Sequence, residues 1–423
     1  MKSLLFTLCL LFTLCLRPVL LPAGDWPRFM GPNADNICTE TGLNWDWPEG
    51  GPPRLWSLDC GESYSAPAIR DGKVIHFDRL KDQAVVGCFD AVSGVSQWTY
   101  AYPTAYRDRY GYNNGPRSTP TIDGERVYAY GADGVLSCLD FATGKKIWER
   151  RMNDEMPAPP DNFFGNGLPA VIEGETILLN VGGYEKGWIL GLDKLSGKTR
   201  WQFDTLGASY SACVVKPFGG KRYALVLSRE GLFVVDPATG KRKFQPHYPF
   251  RSRLRDSVNS ASPVVVGDTI FLSATYGTGA ALLQFTGDRL VQKWRDVDAM
   301  QNHWSTSIHD GGYYYGCSGR HQSEATIRCI EAATGKVAWE NSSREFGRAT
   351  LLKVEGHFVT LGERGELGLI EVNPGKYVLK HKIEPETLGL RPPCWAPPVI
   401  ANGLLYIRSE RRFLCLDLRK KTE

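Results

Sequence analysis

The sequence predicts an all-β protein: an eight-bladed β-propeller of four-stranded antiparallel blades, its ring closed by an N-terminal strand pairing with the C-terminal blade. Three observations predict it. A strand, glycine turn and second strand recur eight times, with Gly72, Gly124, Gly174, Gly220, Gly267, Gly311, Gly356 and Gly403 spaced 44 to 52 residues apart. The phrase "LDFATGKKIW" at Leu139–Trp148 has near-copies at Phe89–Trp98, Leu192–Trp201, Val235–Phe244 and Ile330–Trp339. The chain ends are also complementary, because the last unit stops one strand short and a lone strand precedes the first.

Each element follows from local chemistry. Asp-Gly, Glu-Gly and Asn-Gly between alternating apolar runs are hairpin signals, since such turns need positive φ. They give strands A and B of every blade, A being innermost. Strand C ends at the Asp of the ten-residue phrase. In the C–D turn, the Asp or Thr/Ser side chain bonds backbone N–H groups and the Gly takes a left-handed conformation. The aromatic four residues later returns on strand D and can wedge against the neighbouring blade. A repeat of this length holding four strands is a propeller blade. The eighth unit has "LLYIRSE" and "RFLCLDL" and then ends, so "PPRLWSLD", with Trp56, supplies its fourth strand beside Phe413–Leu418. Closure removes exposed strand edges. "SGKT" at Ser196–Thr199 mimics a phosphate loop, but that loop needs Gly where Leu192 stands.

Ahead of the ring, Lys2, the apolar run Leu4–Leu16 and the small pair Ala23–Gly24 read as a signal peptide over 1–24. The run is shorter than the ~20 residues that span a bilayer, and the mature chain is predicted to have no membrane span. Residues 25–52 form an N-terminal extension, 53–419 the propeller and 420–423 a tail. The protein is predicted to be exported to the periplasm or cell envelope of a bacterium, and to be a monomer. Its net charge of +4 and lack of a basic run exclude nucleic acid as a partner. Of eleven cysteines, nine remain after cleavage, an odd number that argues against a complete disulfide framework. Cys88, Cys138, Cys329 and Cys415 share one repeat position and read as small core residues. Cys38–Cys60 and Cys317–Cys329 are the pairs an oxidising compartment would allow.

The phrase A/C-x-D-x-x-T/S-G-x-x-x-W, repeated about every 45 residues from Pro53 to Leu418, resembles the pyrroloquinoline quinone (PQQ)-type propeller repeat. That family includes quinoprotein dehydrogenases and non-catalytic envelope propellers such as the lipoprotein of the β-barrel assembly machinery. The resemblance implies this fold. It is specific for architecture and weak for function. The adjacent Cys-Cys pair of the catalytic members is absent, as is the C-x-x-C-H haem motif of the linked forms.

Propeller geometry then says where to look. The D–A and B–C loops open on one face, so the segments before the A strands converge on one channel mouth. They are rich in Asn, Arg, Tyr, Trp and Ser. Asn114, Arg117, Asn166, Tyr210, Arg251, Asn259, His303, Trp304 and Arg348 are the candidates, with Arg320 and His321 from B–C loops. Arginines beside aromatics bind anionic or planar ligands; the alternative is that these loops pack together and plug the channel. "FRSRLRD", with Arg251, Arg253 and Arg255, is the most basic loop, read as either a solvated run or an anion contact. The seven histidines show no metal-ligand spacing and no nucleophile elbow occurs, so no catalytic or metal residue is assigned. Two readings follow. The first is a non-enzymatic binding or scaffold protein that recognises an envelope protein or a small anionic or planar ligand at the mouth. The alternative is a quinoprotein oxidoreductase using PQQ with calcium.

Overall fold

The eight predicted hairpins open eight separate four-stranded antiparallel sheets. The computed structural model describes residues 24–156, 164–252, 254, 258–341 and 343–420, so nearly all of the predicted signal peptide lies outside the described residues. Blades 1 to 7 run consecutively through 68–103, 121–151, 171–205, 214–249, 264–296, 308–340 and 349–383. The eighth combines Val399–Ala401, Leu404–Arg408 and Arg412–Asp417 with the N-terminal strand Arg54–Asp59. Trp56 pairs with Cys415 and Leu58 with Phe413, so the ring closes as predicted. Among the described residues, no helix is long and apolar enough to cross a membrane.

The A–B turns divide into two kinds. In blade 1, Asp71 (φ 51°) and Gly72 (φ 70°) both lie in the left-handed region, as a two-residue I′ turn requires. In blade 2, Asp123 already pairs with Arg126 as the last strand residue, and Gly124 is the first residue of the turn. The same dipeptide therefore sits one place earlier in the second kind.

The repeated phrase locks one blade to the next. Asp140 accepts hydrogen bonds from the Thr143 backbone N–H (2.9 Å) and hydroxyl (2.7 Å), closing the C–D turn. The indole N–H of Trp98 donates to the carbonyl of Phe141 in the following blade (3.1 Å). Trp56, Trp201, Trp294 and Trp339 do the same to Ala91, Pro237, Ala332 and Asn373. The turn glycine seats the incoming ring: a Cβ on Gly144 (φ +70°) would lie 2.3 Å from Trp98. Trp148 departs from the pattern. Its indole N–H is buried without a partner, and the equivalent carbonyl, that of Lys194, accepts the Tyr128 hydroxyl (3.1 Å). The cysteines that share a repeat position, Cys88, Cys138, Cys329 and Cys415, are fully buried.

All nine described cysteines are free, which corrects both disulfide pairings. Cys38 bonds to strand A of blade 7 on the A–B rim through Lys353, whereas Cys60 bonds to Arg411 in a B–C loop on the opposite rim. The Cys317 sulfur accepts the N–H of Ala349 and faces the Gly347 carbonyl, turned toward blade 7.

The extension floors the channel. Trp26 bridges to Ile69 in blade 1, and Ile37 to Lys353 in blade 7. Between them, the Pro27 and Asn33 carbonyls receive the Ile122 N–H and the Lys216 ammonium from blades 2 and 4. Glu40 caps the Asn402–Gly403 turn of blade 8, and Glu355 of blade 7 caps the Gly42 and Leu43 N–H groups. The strap therefore crosses the A–B rim, and among the described residues the channel opens toward the D–A and B–C loops.

Candidate functional site

One residue per blade, just ahead of each A strand, builds the wall of the open end. In blade order these are Tyr64, Arg117, Gly167, Tyr210, Ser260, Trp304, Arg348 and Trp395, and all eight line one cavity of about 330 Å³. Phe29 and Asn36 of the strap line it from the floor side, with hydroxyls of Ser118, Thr119, Ser305, Thr306 and Thr350 around them. Aromatic rings form a continuous belt: Trp304–Trp395 (5.5 Å), Trp395–Tyr112 (5.3 Å), Tyr112–Phe164 (5.8 Å) and Phe164–Tyr210 (5.6 Å). The loops thus pack on one another and still enclose space.

The charges are arranged in two tiers. Arg117, Arg320, Arg348, His303 and His321 line the cavity, and no described lining residue is Asp or Glu. The carboxylates stand behind the wall. Asp108 holds Arg117 at 2.7 Å, and Glu363 holds Arg348 at 2.6 Å. Glu410 accepts from the Tyr64 hydroxyl and the Asn113 amide, each at 2.9 Å. Arg348 also lies over the Trp304 ring (4.6 Å) and touches His303 Nδ1 (3.4 Å). Burial, then the positive charges of Arg348, Arg320 and His321, push the His303 pKa down to about 3, so its ring is neutral at pH 7. Exposed Arg320 lies over Tyr276 at 4.4 Å and makes no ion pair among the described residues.

Of the eleven residues singled out in the sequence, seven reach the cavity: Arg117, Tyr210, His303, Trp304, Arg320, His321 and Arg348. Four are placed elsewhere. Asn114 bonds the Asp108 N–H and faces an outer groove. Asn166 is buried between Tyr130 and Asn153. Asn259 ties the Ser228 and Phe250 carbonyls together. These three asparagines are loop braces: Asn166 and Asn259 are buried amides, which must find partners, and all three find them in nearby backbone or side chains. Arg251 points to solvent; Arg253 and Arg255 lie outside the described residues. Tyr64, Tyr112, Phe164, Tyr276 and Trp395 were not among the candidates. A signal existed for Tyr64: "SYSA" at Ser63–Ala66 repeats at Ser209–Ala212, where Tyr210 sits.

A second polar cluster lies outside the cavity. Cys60, His76 and Asp78 each place a donor atom within 4.8 Å of the others, a spacing that could suit a metal. The buried Arg408 guanidinium is 3.3 and 3.5 Å from the two His76 ring nitrogens. That cation holds the position a metal would need, and the cluster is an ion-paired one.

The residues present also do not suit PQQ with calcium. Calcium takes six to eight oxygen ligands, carboxylates prominent among them, and the described lining offers hydroxyls and cations instead.

Fold and cavity together define an eight-bladed propeller with a floored, cationic, aromatic cup. The family model described as "Outer membrane protein assembly factor BamB" matches residues 82–341, and the chain belongs to that family. It is 23% identical over 340 residues to outer membrane protein assembly factor BamB of Burkholderia pseudomallei, covering 69% of this chain and 81% of that one. It is 34% identical over 158 residues to quinohemoprotein alcohol dehydrogenase ADH IIB of Pseudomonas putida, 36% of this chain and 22% of the dehydrogenase; the match therefore spans under a quarter of that relative. A europium-containing methanol dehydrogenase shares the fold, with a TM-score of 0.69 at 11% identity over 94% of this chain and 98% of that one.

Proposed function

We propose that this protein is a non-enzymatic binding protein of the bacterial cell envelope, exported and monomeric, which holds a small anionic or planar ligand, or a side chain presented by an envelope partner, in the cup. One observation carries the reading: the cup is floored, lined by aromatics and cations, and free of carboxylates among its described lining residues. Its volume lies in the range of small-ligand sites. The cationic wall disfavours cationic guests, and the belt offers flat faces for a ring. Kinship with proteins described as assembly factors supports the envelope setting and the non-catalytic role.

Arg117 and Arg348 are committed to Asp108 and Glu363, so they shape the wall. Arg320 and His321 are the groups left to meet a guest. The test is capture from an envelope extract, with tryptophan fluorescence following small anionic and planar compounds. Arg320→Ala and Tyr112→Ala change exposed positions and leave the fold intact. Binding is expected to weaken in both; a ligand or partner held equally well by both variants removes the cup from consideration.

The quinoprotein reading is favoured by the 34% identity to the dehydrogenase segment. Purified protein given PQQ and calcium would then gain a quinone absorbance and reduce an electron-acceptor dye. The described lining, which offers no carboxylate for calcium, predicts no dye reduction.

A further inference from the structure

We propose that Cys60, at the seam where the ring closes, is a nucleophilic thiol that forms mixed disulfides with small anionic disulfides. Cys60 directly follows the closing strand Arg54–Asp59 and is anchored by its N–H to the Arg411 carbonyl (2.9 Å). Its sulfur shares a cluster with His76 and Asp78. His76 Nε2 lies 3.0 Å from Asp78 Oδ2, so the carboxylate orients the ring. Arg408 Nη2 lies 3.4 Å from the Cys60 sulfur and is fixed by the Gly61 and Glu410 carbonyls (3.1 and 2.9 Å). A thiol beside a base and a fixed cation, partly open to solvent, is the setting of a reactive cysteine.

The groups facing His76 are Asp78 from its own strand, Arg408 from blade 8, the Cys60 thiol, and the Phe89 and Phe413 rings. Burial, the largest influence, and the Arg408 charge disfavour the imidazolium, but the charge and hydrogen bond of Asp78 together with the Cys60 hydrogen bond outweigh them and the His76 pKa moves up. The ring is therefore suited to take the thiol proton. Seven of the other eight described thiols are buried. Cys213 is the informative contrast. It is also partly exposed, yet it packs with apolar residues of blades 3 and 4.

Cys60 opens on a groove of about 480 Å³ that also presents Arg79, Lys81, Arg107 and Arg411, against Glu62 and Asp82. Asp82 is shared by Arg79 and Arg107, and Glu62 pairs with Arg411. Four cations over two carboxylates leave the groove positive, which selects an anionic reagent. In the reaction, the thiol proton passes to His76 and the sulfur attacks one sulfur of the disulfide. The S–S bond breaks and the second sulfur leaves as a thiolate, so no outside oxidant is consumed.

The test is stopped-flow release of thiolate from Ellman's dicarboxylate disulfide, with a neutral dipyridyl disulfide beside it, on the full chain. The native protein is expected to show a fast phase at least about tenfold quicker than the urea-unfolded chain at the same pH, absent in Cys60→Ser. Arg107→Ala, at an exposed position, should slow the dicarboxylate several-fold and leave the neutral disulfide unchanged. His76→Gln should slow both and shift the pH profile of the fast phase. A fast phase that survives in Cys60→Ser, or a native Cys60 no faster than the unfolded thiol, overturns the proposal. Neither outcome depends on the buried-site variant folding.

Discussion

The two rims of this ring are built on opposite plans. On the A–B and C–D rim, the blades reuse nearly the same turn, and at five of the eight junctions a tryptophan donates to the next blade's carbonyl at 2.8 to 3.1 Å. On the other rim, the equivalent position is filled eight times by Tyr, Arg, Gly, Tyr, Ser, Trp, Arg and Trp. A contact that must be made between all neighbours favours one solution used many times. A cavity that must fit one guest favours side chains that vary around the ring. Repetition here marks stability, and its loss marks the candidate site.

The sharpest way to break this contrast is to remove a lock. Trp98→Ala should cost about 3–5 kcal/mol, since it deletes a large ring and its inter-blade hydrogen bond. Trp148→Ala should cost about 1 kcal/mol less, because its N–H has no partner to lose. Denaturant unfolding of both variants checks the order, and equal stability in Trp98→Ala and wild type would undo the lock.

Next comes the tier behind the cup. Glu363→Gln strips Arg348 of its counter-charge, and with Glu363 buried the expected loss is about 3 kcal/mol. Arg320→Ala, lacking an ion pair, should change stability by less than about 0.5 kcal/mol while weakening ligand capture. A large stability loss in Arg320→Ala would make it part of the scaffold.

The pH response should be intermediate. His303 titrates near 6.5 when unfolded and at about 3 when folded. The unfolded chain therefore binds the extra proton first as pH falls. The stability this histidine contributes is fully present above about pH 6.5 and is lost on acidification, by about 2 kcal/mol at pH 5. His303→Gln should flatten that part of the stability–pH curve relative to wild type; an unchanged slope would mean the ring is not held neutral.

The turn acids should respond weakly too. Bonds from Thr143 hold the Asp140 carboxyl below the usual range, so its contribution is present above about pH 4 and is lost in stronger acid. Asp140→Asn at pH 7 should cost less than about 1 kcal/mol, because the group is solvent-screened. Thermal melts resolve whether the turn acid matters more than that.

Much of this was legible in the chain. The glycine period, the ten-residue phrase and the unmatched end strands determine blade number, strand order and closure, because each rests on neighbours in sequence or on a turn that needs a left-handed residue. The region of the site was legible too, since every A strand must enter from the same rim. What the sequence could not decide was partnership. Arg117, Arg348, Asn166 and Asn259 look alike as polar loop residues, yet Asp108 and Glu363 claim the first two and nearby backbone and side chains claim the amides. The strap that floors the channel bonds residues more than 300 positions away. Cys60, His76, Asp78 and Arg408 meet only because the last blade borrows its fourth strand from the first segment of the ring. Local chemistry set the blades; ring closure decided which distant charges face each other, and with them the cup and the seam.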